Sequence, residues 1–329
     1  MRFSLIVPVY NRPDETDELL HSMTLQTVKD FEVIIVEDGS DISSEEIVKT
    51  YTDKLPVSYY KIPNGGPGQA RNYGATKASG EYLIVLDSDC ILPPGYIQAV
   101  CTELDETEAE AFGGPDKASP DFTNLQKAIN YSMTSFFTTG GIRGGKKKMD
   151  VFYPRSFNMG IKMYAFKEIG GFSQMRFGED IDLSIRLYDE LFHVCFFPSA
   201  WVYHKRRTGW KKFYKQVYNS GIARINLHKR HPYSLQIVHL LPTVFTLGVC
   251  FFLAGSYFCL WSLSPLVLFA LIVFIDSWIK NKSLSVAFLS IIASYIQLIG
   301  YGCGFLSGVW NRLILRKGEF AAFKKNFYK

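Results

Sequence analysis

The hydrophobic and polar positions divide the chain into three stretches with different periods. In the first, short apolar runs alternate with amphipathic segments. Phe3 to Val9, Phe31 to Val36, Val57 to Ile62 and Glu81 to Leu86 read as strands. The unbroken Leu83-Ile84-Val85-Leu86 is the pattern of a parallel strand buried on both faces. Between them, Pro13 to about Gln26 carries Leu19, Leu20 and Met23 on one helical face. Ser43 is a good N-cap for a helix to Thr52, and Gln69 to Ala78 reads as a third helix. This βαβα order predicts an α/β fold: a mostly parallel, Rossmann-like sheet with helices on both faces.

The second stretch is less regular. Tyr96 to Leu104 and Asn124 to Phe137 read as helices, and Ala109 to Gly113 as a short strand. Thr138 to Lys148 holds four glycines and four cations, too polar to pack a core; it reads either as a linker or as a lid over an anionic ligand. Ser156 to Ile161 reads as a strand and Ala165 to Ile169 as a helix closed by Gly170-Gly171-Phe172. A helix is predicted from Asp180 to Leu191, then strands over Phe192 to Phe197 and Trp201 to Tyr203.

In the third stretch apolar residues dominate. Trp210 to His228 has helical spacing among cations, the pattern of a basic amphipathic helix at a membrane surface. Ile237 to Trp261 carries no charge and is long enough to span a bilayer. Pro265 to Ile279 is a shorter apolar run interrupted by Asp276, and Leu284 to Trp310 is a third. The expected division is a catalytic domain over 1–208, an interfacial helix and linker over 209–234, a transmembrane region of two or three helices over 235–310, and a basic tail over 311–329. Basic flanks before the first span and in the tail both favour the cytoplasm, which requires an even number of crossings. With three runs visible, either one is re-entrant or interfacial, or the tail lies outside.

Composition changes this picture little. The formal net charge is +5, and His204 to His231 carries nine Lys and Arg with no acidic residue. That patch suits anionic lipid or anionic substrate. No recognition motif accompanies it, so nucleic acid is not an expected partner. The six cysteines have neither metal-ligand nor redox-motif spacing and are read as reduced. No secretory leader pattern opens the chain: Met1-Arg2 runs straight into a strand, and a cytosolic catalytic face is expected.

The candidate chemistry lies where the strands end. In a parallel sheet those ends share one edge, where open α/β sheets bind ligands. The first strand ends in Pro8-Val9-Tyr10-Asn11 and the second in Glu37-Asp38-Gly39-Ser40. Asn64-Gly65-Gly66-Pro67-Gly68-Gln69-Ala70-Arg71 follows the third, and Asp87-Ser88-Asp89 the fourth. Tyr10 can stack on a base and Asp38 can accept from a base N–H. The turn around Gly65 and Gly68, with Arg71, can hold phosphate. Asp87 and Asp89 repel each other unless a cation lies between them, and oxygen ligands suit Mg²⁺ or Mn²⁺ bridging to a diphosphate. Each feature alone is also an ordinary turn former. A dinucleotide site is disfavoured, because no Gly-x-Gly-x-x-Gly follows the first strand.

Taken together, these motifs resemble family 2 glycosyltransferases of the GT-A fold, over about residues 3–208. The opening strand, the Glu-Asp-Gly-Ser turn, the glycine loop and Asp-Ser-Asp match in order and spacing. Phe157-Asn158-Met159 through Gly170-Gly171-Phe172 resembles the acceptor-side segment. Gly178-Glu179-Asp180-Ile181-Asp182-Leu183 resembles the motif that carries the catalytic base. His204 resembles the histidine that completes the metal shell. One departure is Glu37, where the family has Asp. The resemblance implies an inverting, metal-dependent transferase of the membrane-anchored bacterial type, in which Asp180 is the base, Glu179 orients it, and Asp87, Asp89 and His204 hold Mg²⁺ or Mn²⁺. Donor contacts would come from Pro8, Tyr10, Asp38, Gly65, Gly68, Arg71, Asp87 and Asp89. The implied partners are a nucleotide sugar, with a UDP-sugar expected, a lipid-linked or cell-surface glycan acceptor, and membrane lipid; the implied location is the inner (plasma) membrane.

Three other readings fit less well. A sugar-nucleotidyl transferase would want a basic glycine-rich signature after the first strand, where this chain has Pro8-Val9-Tyr10-Asn11-Arg12-Pro13. A non-catalytic membrane scaffold would tolerate loss of Asp89 or Asp180, and both are present. A polymer-extruding synthase would carry Gln-x-x-Arg-Trp and spans on both sides of the catalytic domain. Here Gln216 is followed by Val217-Tyr218-Asn219, and no span precedes the first strand.

Overall fold

The computed structural model describes residues 1–119, 121–140 and 152–319. Most of the glycine- and lysine-rich segment, from residue 141, and the tail from residue 320 lie outside the described residues. Two compact units are present: 1–119 with 152–205, and 121–140 with 206–319.

The first unit is built on a seven-stranded sheet. It contains β1 (Phe3–Val9), α1 (Pro13–Thr24), β2 (Phe31–Asp38), α2 (Glu45–Lys49), β3 (Val57–Ile62), α3 (Pro67–Ala75), β4 (Tyr82–Leu86), β5 (Cys90–Ile91), α4 (Tyr96–Thr107), β6 (Ala111–Gly113) and β7 (Asp116–Lys117). The strand order is β3-β2-β1-β4-β8-β6-β9, where β8 is Asn158–Lys162 and β9 is Val194–Phe196. β1 pairs in parallel with both β2 and β4, and β2 in parallel with β3. β8 alone runs against its neighbours β4 and β6. A second sheet, β5-β10-β7, uses β10 (Val202–His204) and sets His204 opposite Cys90.

The apolar runs are continuous because the sheet is covered on both faces. Leu5 and Val7 pack with Leu19, Leu20 and Met23 of α1. Ile6 points the other way, into a cluster with Leu83, Val85 and Phe172. That second cluster is closed by α7 (Met163–Glu168) and α8 (Glu179–Asp189). α8 begins on the acidic Glu179, Asp180 and Asp182, placed where helix N-termini favour negative charge.

One side chain ties the turn after α7 to α3. Asn72 Nδ2 donates to the Phe172 carbonyl and Asn72 Oδ1 accepts from the Phe172 N–H, both at 2.8 Å. Asn72→Ala leaves both groups without these bonds, and a loss of about 1–3 kcal/mol is expected in chemical denaturation. A change under half of that would show the turn is held elsewhere.

The second unit is helical. It comprises α5 (Asn124–Thr134), α6 (Phe136–Thr139), α9 (Trp210–Arg230), α10 (Leu241–Gly255), α11 (Ser264–Asn281) and α12 (Leu284–Gly308), the last continuing as a π-helical turn over Val309–Ile314. The spacing from Asn124 to Phe137 predicts one helix. Ser135 breaks it by adopting extended backbone and capping α6, accepting from the Phe137 N–H. Residues 121–140 group with this unit because Ala128, Ile129 and Met133 pack against Phe213, Val217, Val286 and Ala293. The segments Ile237–Gly255, Leu260–Asn281 and Leu284–Ile314 are long and apolar enough to cross a membrane. The first apolar run is not one helix to Trp261: it ends at Gly255, and a 3₁₀ turn over Leu260–Leu263 leads into α11.

Candidate active site

Four parallel strands end on the same edge, and their loops fasten to one another. Asn11 takes positive φ (53°), and its Oδ1 accepts from the N–H groups of Asp41 and Ile42 at 2.8 and 2.9 Å. Pro8 pairs with Val36, so Pro8 and Tyr10 stand beside the β2 turn. The buried Asp38 accepts from the Gly65 and Gly66 amides at 2.7 and 2.9 Å. Burial pushes its carboxyl above the ordinary value, against the pull of those two amides. Gly66 has φ 88°, which allows the chain to present successive amides to one carboxylate before α3 starts at Pro67.

Glu37 is fully buried and structural. Its carboxylate accepts from the Ser40 hydroxyl, from the Ser44 N–H at 2.7 Å and from the Tyr59 hydroxyl at 3.1 Å. It fixes the turn that presents Asp38.

The two aspartates after β4 go to different partners. Asp87 Oδ1 accepts from Arg71 Nη2 at 2.8 Å. Asp89 Oδ1 lies 3.2 Å from His204 Nε2, and Arg12 Nη1 is 3.9 Å from Asp89 Oδ2. Donor atoms of Asp89, Cys90 and His204 lie within 4.8 Å of one another. The Cys90 thiol contacts the Phe157 carbonyl at 3.4 Å, and the Phe157 ring stacks on His204 at 4.9 Å. The Asp89 carboxylate is an oxygen ligand of the kind Mn²⁺ and Mg²⁺ take, and the transition ion Mn²⁺ also accepts an imidazole nitrogen beside it. Asp87, engaged by Arg71, is outside this cluster.

Arg71 joins the strand-end edge to α8. Its side chain is 3% exposed, its Nη1 donates to Glu179 Oε1 at 2.9 Å, and its guanidinium sits 5.2 Å from the Phe172 ring centroid. Its Nε has no hydrogen-bond partner among the described residues.

Next along α8, Asp180 Oδ2 accepts from Arg155 Nε at 2.7 Å, and Oδ1 accepts from the Ile181 N–H at 2.8 Å. Burial pushes both carboxyls of this pair upward. At Glu179 burial and the neighbouring Asp180 outweigh Arg71, so its carboxyl lies above the ordinary range. At Asp180 the Arg155 guanidinium outweighs burial and holds the carboxyl below it. The environment thus splits two adjacent carboxyls into one easily protonated and one kept ionised.

Two arginines that pair with the acidic start of α8 are not among the residues the sequence singles out. Arg155 precedes β8 in a segment with no periodicity. Arg186 pairs with Asp182 at 2.9 Å and donates to the Ile169 and Gly171 carbonyls at 2.5 and 2.8 Å, so Asp182 acts through the Gly170-Gly171 turn. An i,i+4 Asp-Arg spacing was the available signal for the second.

The chain belongs to glycosyl transferase family 2, whose profile matches residues 4–170. Among curated relatives, poly(ribitol-phosphate) β-N-acetylglucosaminyltransferase TarS of Staphylococcus aureus is 30% identical over 174 residues, 47% of this chain and 30% of that protein. Minor teichoic acid biosynthesis protein GgaB of Bacillus subtilis is 31% identical over 185 residues, 55% of this chain and 20% of its own. The matched region is therefore well under two-thirds of either relative. Among solved structures, the mannosyltransferase PcManGT of Pyrobaculum calidifontis, in complex with GDP-mannose and Mn²⁺, aligns with a TM-score of 0.64 at 16% identity, covering 94% of this chain and 88% of that one. S. aureus TarS 1-349 in complex with UDP-GlcNAc aligns with a TM-score of 0.50 at 19% identity, covering 96% and 93%. These two likenesses establish the GT-A type fold.

Proposed function

We propose that this protein is an inverting glycosyltransferase that moves a sugar from a nucleotide sugar, with UDP-sugars the first candidates, to a hydroxyl of a lipid-linked or cell-surface glycan. We place it at the inner (plasma) membrane, held by the apolar helices, with the catalytic unit on the cytoplasmic side. The observation that carries the reading is the bridge made by Arg71. It sets the Asp87-Ser88-Asp89 strand end and the Glu179-Asp180 helix start around one edge, so a leaving diphosphate and an acceptor hydroxyl can meet there.

In this reading Tyr10 and Asp38 face the base and the Gly68 amide at the start of α3 faces phosphate oxygens; Gly65 and Gly66 shape the turn by donating to Asp38, and Arg71, buried between Asp87 and Glu179, adds positive charge from behind. Asp89 and His204 would hold Mg²⁺ or Mn²⁺; such an ion, when bound, neutralises charge developing on the departing diphosphate. Asp180, kept ionised by Arg155, takes the proton of the acceptor hydroxyl as the sugar carbon is attacked from the face opposite the nucleotide. For that, the acceptor hydroxyl must share or displace the contact with Arg155. Glu179, fixed by Arg71, positions the start of α8. TarS, named for N-acetylglucosamine transfer to poly(ribitol phosphate), supports a UDP-sugar donor and a cell-envelope acceptor.

The test is a screen of UDP- and GDP-sugars with purified full-length protein and Mn²⁺, reading nucleotide release with and without acceptor lipid extract. Release from at least one donor is expected. No release from any, hydrolysis included, contradicts the assignment. With the active donor, chelation by EDTA is expected to slow turnover about 10²-fold, the size of losing one main charge stabiliser. Turnover unchanged by chelation would remove the metal from the account.

A further inference from the structure

His204 lies between two carboxylates. Asp89 Oδ1 is 3.2 Å from its Nε2, and Asp116 Oδ2 is 3.7 Å from its Nδ1. The second sheet brings Asp116 there. β10 pairs in parallel with β7, with Val202 opposite Asp116 and Tyr203 opposite Lys117. His204 is two residues past Val202, so its side chain and that of Asp116 leave the sheet on the same face. Both side chains are mostly buried, so solvent screens their attraction little.

The frame around this pair is fixed at backbone distance. The Val202 N–H donates to the Pro115 carbonyl at 3.1 Å. A Cβ on Gly114 would stand 1.7 Å from the Ala200 carbonyl oxygen and 2.5 Å from Asn158 Nδ2. Asn158 Nδ2 itself donates to that carbonyl at 2.8 Å. Glycine at 114 is what lets β7 lie so close to the turn before β10. The imidazole is held as well: the Phe157 ring stacks on it with the planes 24° apart. The ring therefore has little room to tilt, and its two nitrogens face two different carboxylates.

A neutral imidazole that gives its Nε2 lone pair to a cation carries its proton on Nδ1 and needs an acceptor there. Asp116 is the carboxylate on that edge. At 3.7 Å the contact is longer than a direct hydrogen bond. A shift of about half an ångström in either side chain brings it into range. Asp116 is not placed as a ligand itself. Among the described residues, the donor atoms that gather within 4.8 Å of one another are those of Asp89, Cys90 and His204. Asp116 lies behind the ring, on the Nδ1 side.

We propose that Asp116 is a positioning residue that accepts the Nδ1–H of His204 and so aims the Nε2 lone pair at a bound Mg²⁺ or Mn²⁺. This rests on the metal reading proposed above. It adds to the site a carboxylate that touches neither the ion nor the reacting atoms and acts only through His204.

The test uses the full-length protein in detergent, with UDP present and Mn²⁺ as the probe. The electron paramagnetic resonance signal of free Mn²⁺ gives the Kd, and pulsed measurement of the bound ion reads nitrogen in its coordination sphere. Wild type is expected to bind Mn²⁺ and to show nitrogen modulation that changes when histidine is ¹⁵N-labelled. Asp116→Asn is expected to weaken Mn²⁺ binding about 10–100-fold, the range for loss of the outer partner of a metal-bound histidine, and to reduce that modulation. In a His204→Ala background the same change should add no more than about twofold, which separates an effect through His204 from a general disturbance of the sheet. Because the asparagine variant can disturb β7, the unchanged protein loaded with Mg²⁺ is also read by proton NMR. A slowly exchanging, downfield Nδ1–H that is lost in His204→Ala is expected, and its absence overturns the proposal. Mn²⁺ binding by Asp116→Asn at wild-type strength overturns it too, as does a full further loss in the His204→Ala background. Bound Mn²⁺ without histidine nitrogen overturns the role of Asp116 and leaves the metal in place. No Mn²⁺ binding by wild type overturns the metal reading itself, and this proposal with it.

Discussion

Asp180→Asn is expected to lower kcat by about 10²–10⁴-fold, the range for loss of a positioned general base. Donor affinity should stay within about twofold of wild type, because among the described residues the Asp180 carboxylate bonds to Arg155 and to the Ile181 N–H, outside the strand-end loops proposed to face the nucleotide. The amide keeps the shape of the side chain and can still accept from the Ile181 N–H, so the helix start is preserved. What it loses is basicity, together with the charge that Arg155 Nε meets at 2.7 Å. Arg155 provides a second arm with a definite sign. Its guanidinium is what holds Asp180 below the ordinary carboxylate range against burial. With Arg155→Met, burial is left to act and the carboxyl rises. The acid limb of the kcat/KM profile, which reports protonation of a base in the free enzyme, should then move to higher pH. A limb that stays in place would mean the base lies elsewhere.

Arg71→Met is expected to destabilise the catalytic unit by about 3–5 kcal/mol. That is the range for removing one partner of a buried ion pair, and here two carboxylates lose their cation together. Activity should fall with it, since Asp87 and the start of α8 are no longer held in one arrangement. Arg71→Lys should rescue little: one ammonium cannot bridge two carboxylates as the guanidinium fork does. The double variant Arg71→Met with Glu179→Gln should recover part of the loss by removing one of the stranded charges. Chemical denaturation midpoints and far-UV circular dichroism measure all three. A loss under about 1 kcal/mol for Arg71→Met would show that solvent, not the guanidinium, satisfies these carboxylates.

These predictions rest on residues of unequal legibility in the sequence. The first four strands could be read because β1, β2 and β4 are apolar on both faces and the edge strand β3 still carries Val57, Tyr59, Tyr60 and Ile62, and parallel pairing then fixes which ends share an edge. Asp38, Asp87, Asp89 and the glycine loop follow from that placement. The partners of those residues do not. Arg71 reaches Glu179 across 108 residues, and Arg155 reaches Asp180 across 25, through segments with no period to align them. Glu37 was visible as a departure from Asp. The longer side chain's bonds to Ser44 and Tyr59 emerge only when β2 and β3 are side by side. In the helical unit, apolar runs were plain. The break at Gly255 and the parallel packing of α9 on Gly300, Gly304 and Gly308 depend on where other helices lie, which composition does not encode.

The most direct test of the central claim, that one sheet edge binds the donor while Asp180 takes the acceptor proton, is a paired measurement on Asp180→Asn. Donor Kd by calorimetry and single-turnover transfer would be read on the same preparation, with wild type alongside. Expected are a Kd within about twofold of wild type and transfer slowed at least about 10²-fold. Transfer at the wild-type rate, or donor binding lost in step with it, would contradict it.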